Sequence, residues 1–283
     1  MKKLLSVLLT LLILGGSCVS ALAIEPEEIA FNNIEGCKTL EKRLYSIKEI
    51  TAAQLLAQTT PASVKIEVNG TELEADSPVP TGAKISLSDG ETTLDEYLFI
   101  LLGDVDCNGR VNALDARLAL RVATHLENDL KYVQLLAMDV DSDVSETATD
   151  ARSILRAATK LENCSNWLAL ATTEYDCTSV LVVMEKAHSV PGRVYTADFF
   201  DEELVESVED LTYIDPAQLG SDASITDFSK WHQILALKLK EPSIDNVELL
   251  IRKLAGRDEI MSAGKNGYIY TMNTNEAGYS ETY

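Results

Sequence analysis

The 283-residue sequence is poor in histidine, cysteine and aromatic residues. It contains three histidines, five cysteines and 6% aromatic residues. The histidines stand in separate segments, and no nucleophile, base and orienting acid form a recognisable catalytic motif. A glycosidase would need paired Asp or Glu residues in a larger barrel or sandwich than these segments provide. The sequence therefore predicts a protein that is not an enzyme.

Basic residues are also scarce, with 24 Lys and Arg against 45 Asp and Glu, which gives a formal net charge of −21. A surface of this charge repels nucleic acid and anionic lipid. It attracts divalent cations. We therefore expect no nucleic-acid partner and look for a metal site among the acids.

Long hydrophobic runs are missing except at the N-terminus. The first 23 residues contain two lysines, an apolar run and Ala-Leu-Ala at 21–23, which is the layout of a signal peptide cleaved after Ala23. The run from Leu4 to Leu14 is short for a membrane span, although an N-terminal anchor is the alternative interpretation. The sequence predicts a secreted protein with no membrane association after cleavage.

The cysteines that remain after cleavage match no zinc-binding spacing. They are Cys37, Cys107, Cys164 and Cys177. Secretion permits disulfides, and the nearest pair in sequence is Cys164 with Cys177. The sequence leaves their redox state open.

A repeat lies in the middle of the chain. DVDCNGRVNALDARLALRVATHLE, which starts at Asp104, aligns without gaps to DVDSDVSETATDARSILRAATKLE, which starts at Asp139. Thirteen of the 24 positions are identical, at an offset of 139 − 104 = 35 residues. In both copies an acidic loop runs directly into a segment with helical periodicity.

The loops have the spacing of a calcium site, which takes oxygen ligands from positions 1, 3, 5, 7, 9 and 12, with position 7 binding through its backbone carbonyl. In the first copy these positions are Asp104, Asp106, Asn108, Arg110, Asn112 and Asp115. In the second copy they are Asp139, Asp141, Asp143, Ser145, Thr147 and Asp150.

The two loops differ at positions 6 and 8. Gly109 occupies position 6 of the first loop, where the chain turns sharply, and Val144 replaces it in the second. A β-branched residue resists positive φ, so we expect the second site to bind more weakly or with altered geometry. Val111 at position 8 can pair with its counterpart in the other loop, which is Glu146.

With these tandem loops and DARxxLR helices, residues 103–162 resemble a type I dockerin. The resemblance implies an all-α module of paired loop–helix, EF-hand-like motifs that folds with two Ca²⁺ ions and binds a cohesin module of a scaffoldin in a cellulosome-like complex. By position, the implied cohesin contacts are Ala113, Leu114, Leu120, Arg121 and His125, then Ala148, Thr149, Leu155, Arg156 and Lys160. Ala-Leu in one copy against Ala-Thr in the other breaks the internal symmetry of this face.

The flanks are predicted to be two further small modules. Residues 36–102 show short alternating strands around an Asn69-Gly70 turn, which indicates a β-rich module. Residues 163–176 are interpreted as a linker and 273–283 as a polar tail. Residues 177–272 have the order β-α-β-β-α-β, which is typical of a ferredoxin-like fold. That segment resembles the inhibitor-type propeptides of subtilisin-like proteases in its last helix and the following RDEIMSAGKNGYIY.

The sequence thus predicts a multidomain α+β protein with a helical, calcium-binding centre. The expected function is non-catalytic attachment, through a calcium-dependent dockerin, to a cohesin-bearing, polysaccharide-degrading extracellular complex. Two alternatives stay open. One is a dockerin-borne protease inhibitor or propeptide-like regulator, and the other is a dockerin-borne polysaccharide hydrolase.

Overall fold

The computed structural model describes residues 28–90, 92–189, 193–212 and 232–267. The predicted signal peptide and polar tail lie outside the described residues. Within these four ranges, no helix combines the length and the apolar character needed to cross a membrane. The four cysteines in these ranges carry free thiols.

The N-terminal part of the chain is built mainly from strands. Its elements are β1 (Ala30–Phe31), β2 (Cys37–Leu40), β3 (Arg43–Ser46), α1 (Ala52–Leu56), β4 (Thr59–Thr60), β5 (Lys65–Val68), β6 (Thr71–Glu72), β7 (Lys84–Ser88) and β8 (Thr93–Leu101). Six of the strands form a sheet in the order β2-β3-β8-β7-β5-β6, and β1 pairs with β4. In the larger sheet β3 and β8 are parallel and the other neighbours are antiparallel. Ile66, Ile85 and Phe99 pack with Leu55 of α1 in the core beside this sheet.

The middle of the chain is helical. It contains α2 (Ala113–Ala123), α3 (Tyr132–Met138), α4 (Ala148–Ala158) and α5 (Ser165–Ala171). The two repeats supply α2 and α4, and each begins with a capping box, in which the N-cap side chain and the residue three positions later exchange hydrogen bonds with each other's backbone N–H. The segment interpreted as a linker holds α5, whose Trp167 is buried.

The C-terminal part forms a second sheet with helices. Its elements are β9 (Tyr175–Met184), α6 (Ala197–Phe200), β10 (Val205–Asp210), β11 (Ile234–Leu239), α7 (Ile244–Leu254) and β12 (Ile260–Gly267). The strand order is β10-β11-β9-β12, and all neighbours are antiparallel. Ser243 caps α7 by accepting the Asn246 N–H at 3.1 Å, and the apolar face of α7 is buried in the core of this sheet.

The predicted fold class, a multidomain α+β chain around an all-α calcium-binding module, is wrong. The described residues form a mixed α/β fold with sheets of six, four and two strands and seven α-helices, and sheets predominate. The repeat region has no separate core in these residues. Ile100 of β8 and Leu102, which directly follows β8, share a hydrophobic cluster with Met138 of α3. Val144 of the second loop lies in the core of the four-stranded sheet.

The small side chains on the repeat helices explain why the helical centre does not stand alone. The buried residues of α2 are Asp115, Ala116 and Ala119, and those of α4 are Asp150, Ala151 and Ile154. Alanine lets the two helices approach closely but removes little apolar surface from water. The large buried side chains of this region therefore come in part from the flanking sheet.

A buried ion pair joins the C-terminal part to the rest of the fold. Arg43 of β3 donates from Nη1 to Glu248 Oε2 of α7 at 3.1 Å, and both side chains are less than 10% exposed. The Tyr132 hydroxyl of α3 donates to the same carboxylate oxygen at 2.7 Å. Because an unpaired charge in such a position is costly, this pair fixes α7 relative to β3 and α3.

Candidate metal centre

The first acidic loop is organised around Asp104, which is fully buried. Its Oδ1 accepts the Asn108 N–H at 2.9 Å, and its Oδ2 accepts the Gly109 N–H at 3.0 Å. Oδ2 also accepts the N–H of Thr81, from the turn before β7, at 2.9 Å. A residue of the N-terminal sheet region therefore helps to hold the first loop.

The second loop repeats this arrangement around Asp139. Its Oδ1 accepts the Asp143 N–H at 3.1 Å, and its Oδ2 accepts the Val144 N–H at 3.0 Å. The repeated sequence thus gives a repeated loop geometry, even though position 6 has changed.

The two loops close in the same way on their last predicted ligand. Asp115 Oδ1 accepts the Val105 N–H at 2.9 Å, and Asp150 Oδ1 accepts the Val140 N–H at 3.2 Å. Each carboxylate also caps the helix that follows, through the N–H of Asn112 or Thr147 at 2.9 Å. Hence the same acid ends the loop and starts the helix.

Carboxylate oxygens converge in both loops. In the first loop, ligand atoms of Asp104, Asp106 and Asp115 lie within 4.8 Å of one another, and in the second, those of Asp139, Asp141 and Asp143 do so. Groups of this kind can hold a metal ion. The second group does not include Asp150, whose Oδ2 accepts both the N–H and the hydroxyl of Thr147 at 2.9 Å.

The remaining predicted ligands have matching places in the two loops. The Asn108 side-chain oxygen accepts the Arg110 N–H at 2.9 Å, and Asp143 Oδ1 accepts the Ser145 N–H at 2.8 Å. The side chains of Arg110 and Ser145 are exposed, which leaves their backbone as the part that belongs to the loop. Asn112 and Thr147 are the N-caps of α2 and α4.

Position 6 needs a left-handed residue in both loops. Gly109 has φ +80° and Val144 has φ +66°. A Cβ at Gly109 would lie 2.9 Å from Cβ of Pro78, so glycine is required there for space as well as conformation. Val144 accepts a conformational cost of about 1–2 kcal/mol, but its side chain is 2% exposed, and burial of a valine contributes about 1.5–3 kcal/mol. Burial therefore offsets the strain that the sequence indicates.

The expected pairing between Val111 and its counterpart is replaced by contacts with the flanks. The Val111 N–H donates to Glu49 Oε1 at 3.2 Å, and Glu146 Oε1 accepts from Arg252 Nε at 2.8 Å. Each loop is thus supported by a different part of the chain, the first by the N-terminal part and the second by α7.

Sequence reasoning missed the flank residues that hold the loops. Thr81 and Glu49 contact the first loop, and Arg252 and Lys265 contact the second. The separations along the chain run from 23 residues for Thr81 to 123 for Lys265. No local spacing or periodicity signals contacts of that range.

Burial raises the pKa of the loop carboxyls, and their mutual repulsion adds to this. The pKa of Asp139 is raised to about 7, and those of Asp115 and Asp150 to about 6. The pKa of Asp104 is also raised by burial, against the opposing effect of its three N–H donors. Several ionised carboxylates in one partly buried place are costly in free energy. Protonation or a bound cation lowers this cost.

These pKa shifts predict how the metal-free protein responds to pH. Between about pH 4 and pH 7 the raised carboxyls bind more protons in the folded than in the unfolded state, so the free energy of unfolding should increase as the pH falls from 8 to 5.5. Thermal unfolding in chelator at several pH values measures this. Asp139→Asn should show a smaller change over the same range, and a melting temperature that falls steadily on acidification would contradict the prediction.

The ten residues predicted to contact a cohesin are all exposed. The leucines among them are 54% exposed at 114, 47% at 120 and 44% at 155. Leu120 and Leu155 are therefore not core residues that pack α2 against α4. Arg121 lies 3.5 Å from Glu127 and Arg156 lies 2.9 Å from Glu162, so the equivalent arginines have equivalent acidic partners.

His125 and Lys160 have a structural part in ending the two helices. They adopt φ +55° and +57° just after α2 and α4. The residue after each donates its N–H back to the helix, Leu126 to Arg121 O at 2.8 Å and Leu161 to Arg156 O at 2.7 Å. This is the Schellman geometry, which stops both helices at the same point and leaves Leu126 and Leu161 about 70% exposed.

Comparisons of the chain with family models, with curated proteins and with solved structures gave no match. The functional argument therefore rests on the residues and geometry described above.

Proposed function

We propose that the protein is a secreted, non-catalytic component that docks onto a cohesin module of a scaffoldin in a polysaccharide-degrading complex, with Ca²⁺ bound in its two acidic loops. The observation that carries this proposal is the repeated loop–helix unit, in which each acidic loop leads into a helix with an exposed leucine–arginine pair. The pairs are Leu120 with Arg121 and Leu155 with Arg156.

The donor chemistry supports calcium as the ion. The converging groups are carboxylates, and Asn108 and the backbone offer further oxygen atoms. Ca²⁺ accepts six to eight oxygen ligands in flexible geometry, whereas Zn²⁺ favours thiolate and imidazole. Cys107 also lies in the first loop, but it is a single sulfur among oxygen donors, and its side chain is not in the group whose ligand atoms converge.

The fit of a cation also follows from how the loops are held. The carboxylates at the first loop position are buried and accept backbone N–H groups, so the loop shape is formed by the chain itself. When bound, Ca²⁺ would supply positive charge to acids whose pKa values are raised. The residues that would hold it are the twelve ligand positions of the two loops.

The exposed face of α2 and α4 has the composition of a protein interface. Apolar side chains beside an arginine recur at the centres of interfaces, since arginine provides directional hydrogen bonds and the apolar group excludes water. Both arginines are about half exposed and reach acidic residues of their own repeat. A partner that offers carboxylates and an apolar patch would compete for them.

The flanking sheets support the loops in this proposal. The N-terminal part gives Thr81 and Glu49 to the first loop, and the C-terminal part gives Arg252 and Lys265 to the second. This arrangement favours a docking protein whose flanks are part of the docking unit, rather than a docking label attached to a separate catalytic domain.

Arginine variants test the docking face. Because Thr149 in the second repeat replaces Leu114 of the first, we expect one of Arg121→Ala and Arg156→Ala to weaken cohesin binding by more than about 1 kcal/mol while the other has little effect. Calorimetric titration against a panel of cohesins in Ca²⁺ measures both single variants and the double variant.

Lys84→Ala and Lys238→Ala are the controls, because both lysines are exposed, pair with a surface glutamate as Arg121 and Arg156 do, and lie outside α2 and α4. They should bind like the wild type. Wild-type affinity of the Arg121→Ala/Arg156→Ala double variant would show that this face is not the one used.

A further inference from the structure

The second acidic loop is in direct contact with the four-stranded sheet and its helix α7. Lys265 of β12 donates from Nζ to the Ser142 carbonyl at 3.2 Å, and Arg252 of α7 bonds Glu146 at 2.8 Å. Val144, between these two points, lies in the hydrophobic core of the sheet. The loop is therefore held at three alternate positions, 142, 144 and 146, by the four-stranded sheet and α7.

Both cations at this contact are largely removed from water. The side chains of Lys265 and Arg252 are 21% and 13% exposed. Nη1 and Nη2 of Arg252 are buried and have no hydrogen-bond partner among the described residues. A desolvated cation is costly unless negative charge lies nearby, so the position of these two needs an anionic environment.

The acids that face the two cations provide that environment. Glu146 pairs with Arg252, and Glu248 Oε1 lies 3.9 Å from Lys265 Nζ. Both cations also contact the loop that carries Asp139, Lys265 at the Ser142 carbonyl and Arg252 at the Glu146 carboxylate. The carboxylates of Asp139, Asp141 and Asp143, whose ligand atoms lie within 4.8 Å of one another, therefore belong to a loop that two cations of the C-terminal unit contact.

The first loop is supported differently. Its flank contacts are the Thr81 N–H to Asp104 and the Val111 N–H to Glu49, which adds a further negative charge. In the parts of the chain that the structure describes, no lysine or arginine from outside the loop donates to residues 104–115. The two loops therefore have similar acids but differ in the charged side chains that bond to them from outside.

We propose that Lys265 and Arg252 are positioning residues that act as tethered counter-cations of the second loop and keep it folded when no metal is bound. The first loop has no such cation bonded to it among the described residues, and its shape rests on the N–H groups of Thr81, Asn108 and Gly109 that Asp104 accepts. A metal ion bound in the second loop would then add positive charge to acids that Lys265 and Arg252 already help to neutralise. The metal-bound part of this inference rests on the calcium binding proposed above, and the metal-free part does not.

Amide hydrogen exchange of the full chain tests the inference. In chelator, the N–H groups of Asp143 and Val144 should be protected in the wild type. The N–H groups of Asn108 and Gly109 are the internal control and should exchange at the same rate in the wild type and in Lys265→Met. Lys265→Met should increase exchange at Asp143 and Val144 by at least tenfold in chelator. Added Ca²⁺ should restore their protection, because the ion supplies the missing charge.

Two controls separate charge from packing. Lys265→Arg keeps the charge and should stay protected. Lys238→Met removes a lysine of the same sheet that pairs with Glu209 and should leave the second loop unchanged. If Lys265→Met does not fold, Lys265→Gln, which can still donate to the Ser142 carbonyl, provides the same comparison.

Three results of the exchange experiment decide whether Lys265 acts as a counter-cation of the second loop. Wild-type protection of Lys265→Met in chelator would overturn the proposal. Protection that is lost and does not return with Ca²⁺, while the first loop responds to the ion, would show that Lys265 only packs, and would also overturn it. If neither wild-type loop responds to Ca²⁺, the proposed calcium binding fails, but the chelator comparison still decides whether Lys265 holds the loop.

Discussion

Asp104→Ala should lower the free energy of unfolding by about 3 kcal/mol or more, even in chelator. Asp104 is fully buried and accepts the N–H groups of Thr81, Asn108 and Gly109. A buried N–H that loses its acceptor costs about 1–3 kcal/mol, and those of Thr81 and Gly109 lose it together, while the Asn108 N–H keeps Asp106 Oδ1 as a second acceptor at 3.2 Å. Relief of repulsion with Asp106 recovers part of this cost. Urea unfolding in chelator and in Ca²⁺ measures the effect.

Asp139→Ala is the paired variant and should lower the free energy of unfolding by less than Asp104→Ala does. Asp139 accepts two loop N–H groups and has no donor equivalent to Thr81 among the described residues. Burial raises the pKa of Asp139 to about 7, so its removal relieves the cost of burying a charged carboxylate. Asp106→Ala, which changes an exposed carboxylate, should weaken calcium binding with little effect in chelator. Equal destabilisation by Asp104→Ala and Asp139→Ala would contradict this account of the two loops.

Gly109→Ala should destabilise the protein by about 2 kcal/mol or more and distort the first loop. The new Cβ would meet Pro78 Cβ at 2.9 Å and the Pro78 backbone at 3.2 Å, in a residue held at φ +80°. Left-handed φ costs an alanine about 1–2 kcal/mol, and the contact with Pro78 adds to it. Gly70→Ala is the matched control, because Gly70 has φ +77° and open space around its Cβ position, so it shows the conformational cost alone. Equal losses of stability in the two variants would show that Pro78 does not restrict position 6.

Val144→Gly should also destabilise the protein, although it restores the glycine that the first loop has at position 6. It relieves about 1–2 kcal/mol of backbone strain but gives up the burial of a valine and leaves a cavity in the core of the four-stranded sheet. We expect a net loss of about 1 kcal/mol. A more stable Val144→Gly variant would mean that the contact between the second loop and this core contributes little.

The local features of the site could be predicted from the sequence. The repeat aligns residue by residue, and the structure gives both copies the same loop bonds, the same capping boxes and the same helix ends. These features depend on contacts within about twelve residues, so spacing and residue type carry them. Asn112 with Asp115 and Thr147 with Asp150 show this directly, since one short motif specifies both the end of the loop and the start of the helix.

The arrangement around the site could not be predicted in the same way. Treating residues 103–162 as an all-α unit failed because the alanine faces of α2 and α4 bury little, and the missing core comes from residues such as Ile100 on a strand. Val144 is the clearest example. Its position in the loop sequence indicates backbone strain. The stabilising burial of its side chain depends on residues far along the chain, which the loop sequence does not show.

Binding to cohesins in Ca²⁺ and in chelator tests the central claim most directly. The full chain, free of its N-terminal 23 residues, would be titrated against a panel of cohesins in millimolar Ca²⁺, then in chelator, then after Ca²⁺ is returned. Calcium-dependent docking predicts binding to at least one cohesin that falls at least a hundredfold in chelator and recovers fully with the ion. Equal affinity in Ca²⁺ and chelator, or no binding to any cohesin by protein shown to have bound Ca²⁺ in its loops, would contradict it.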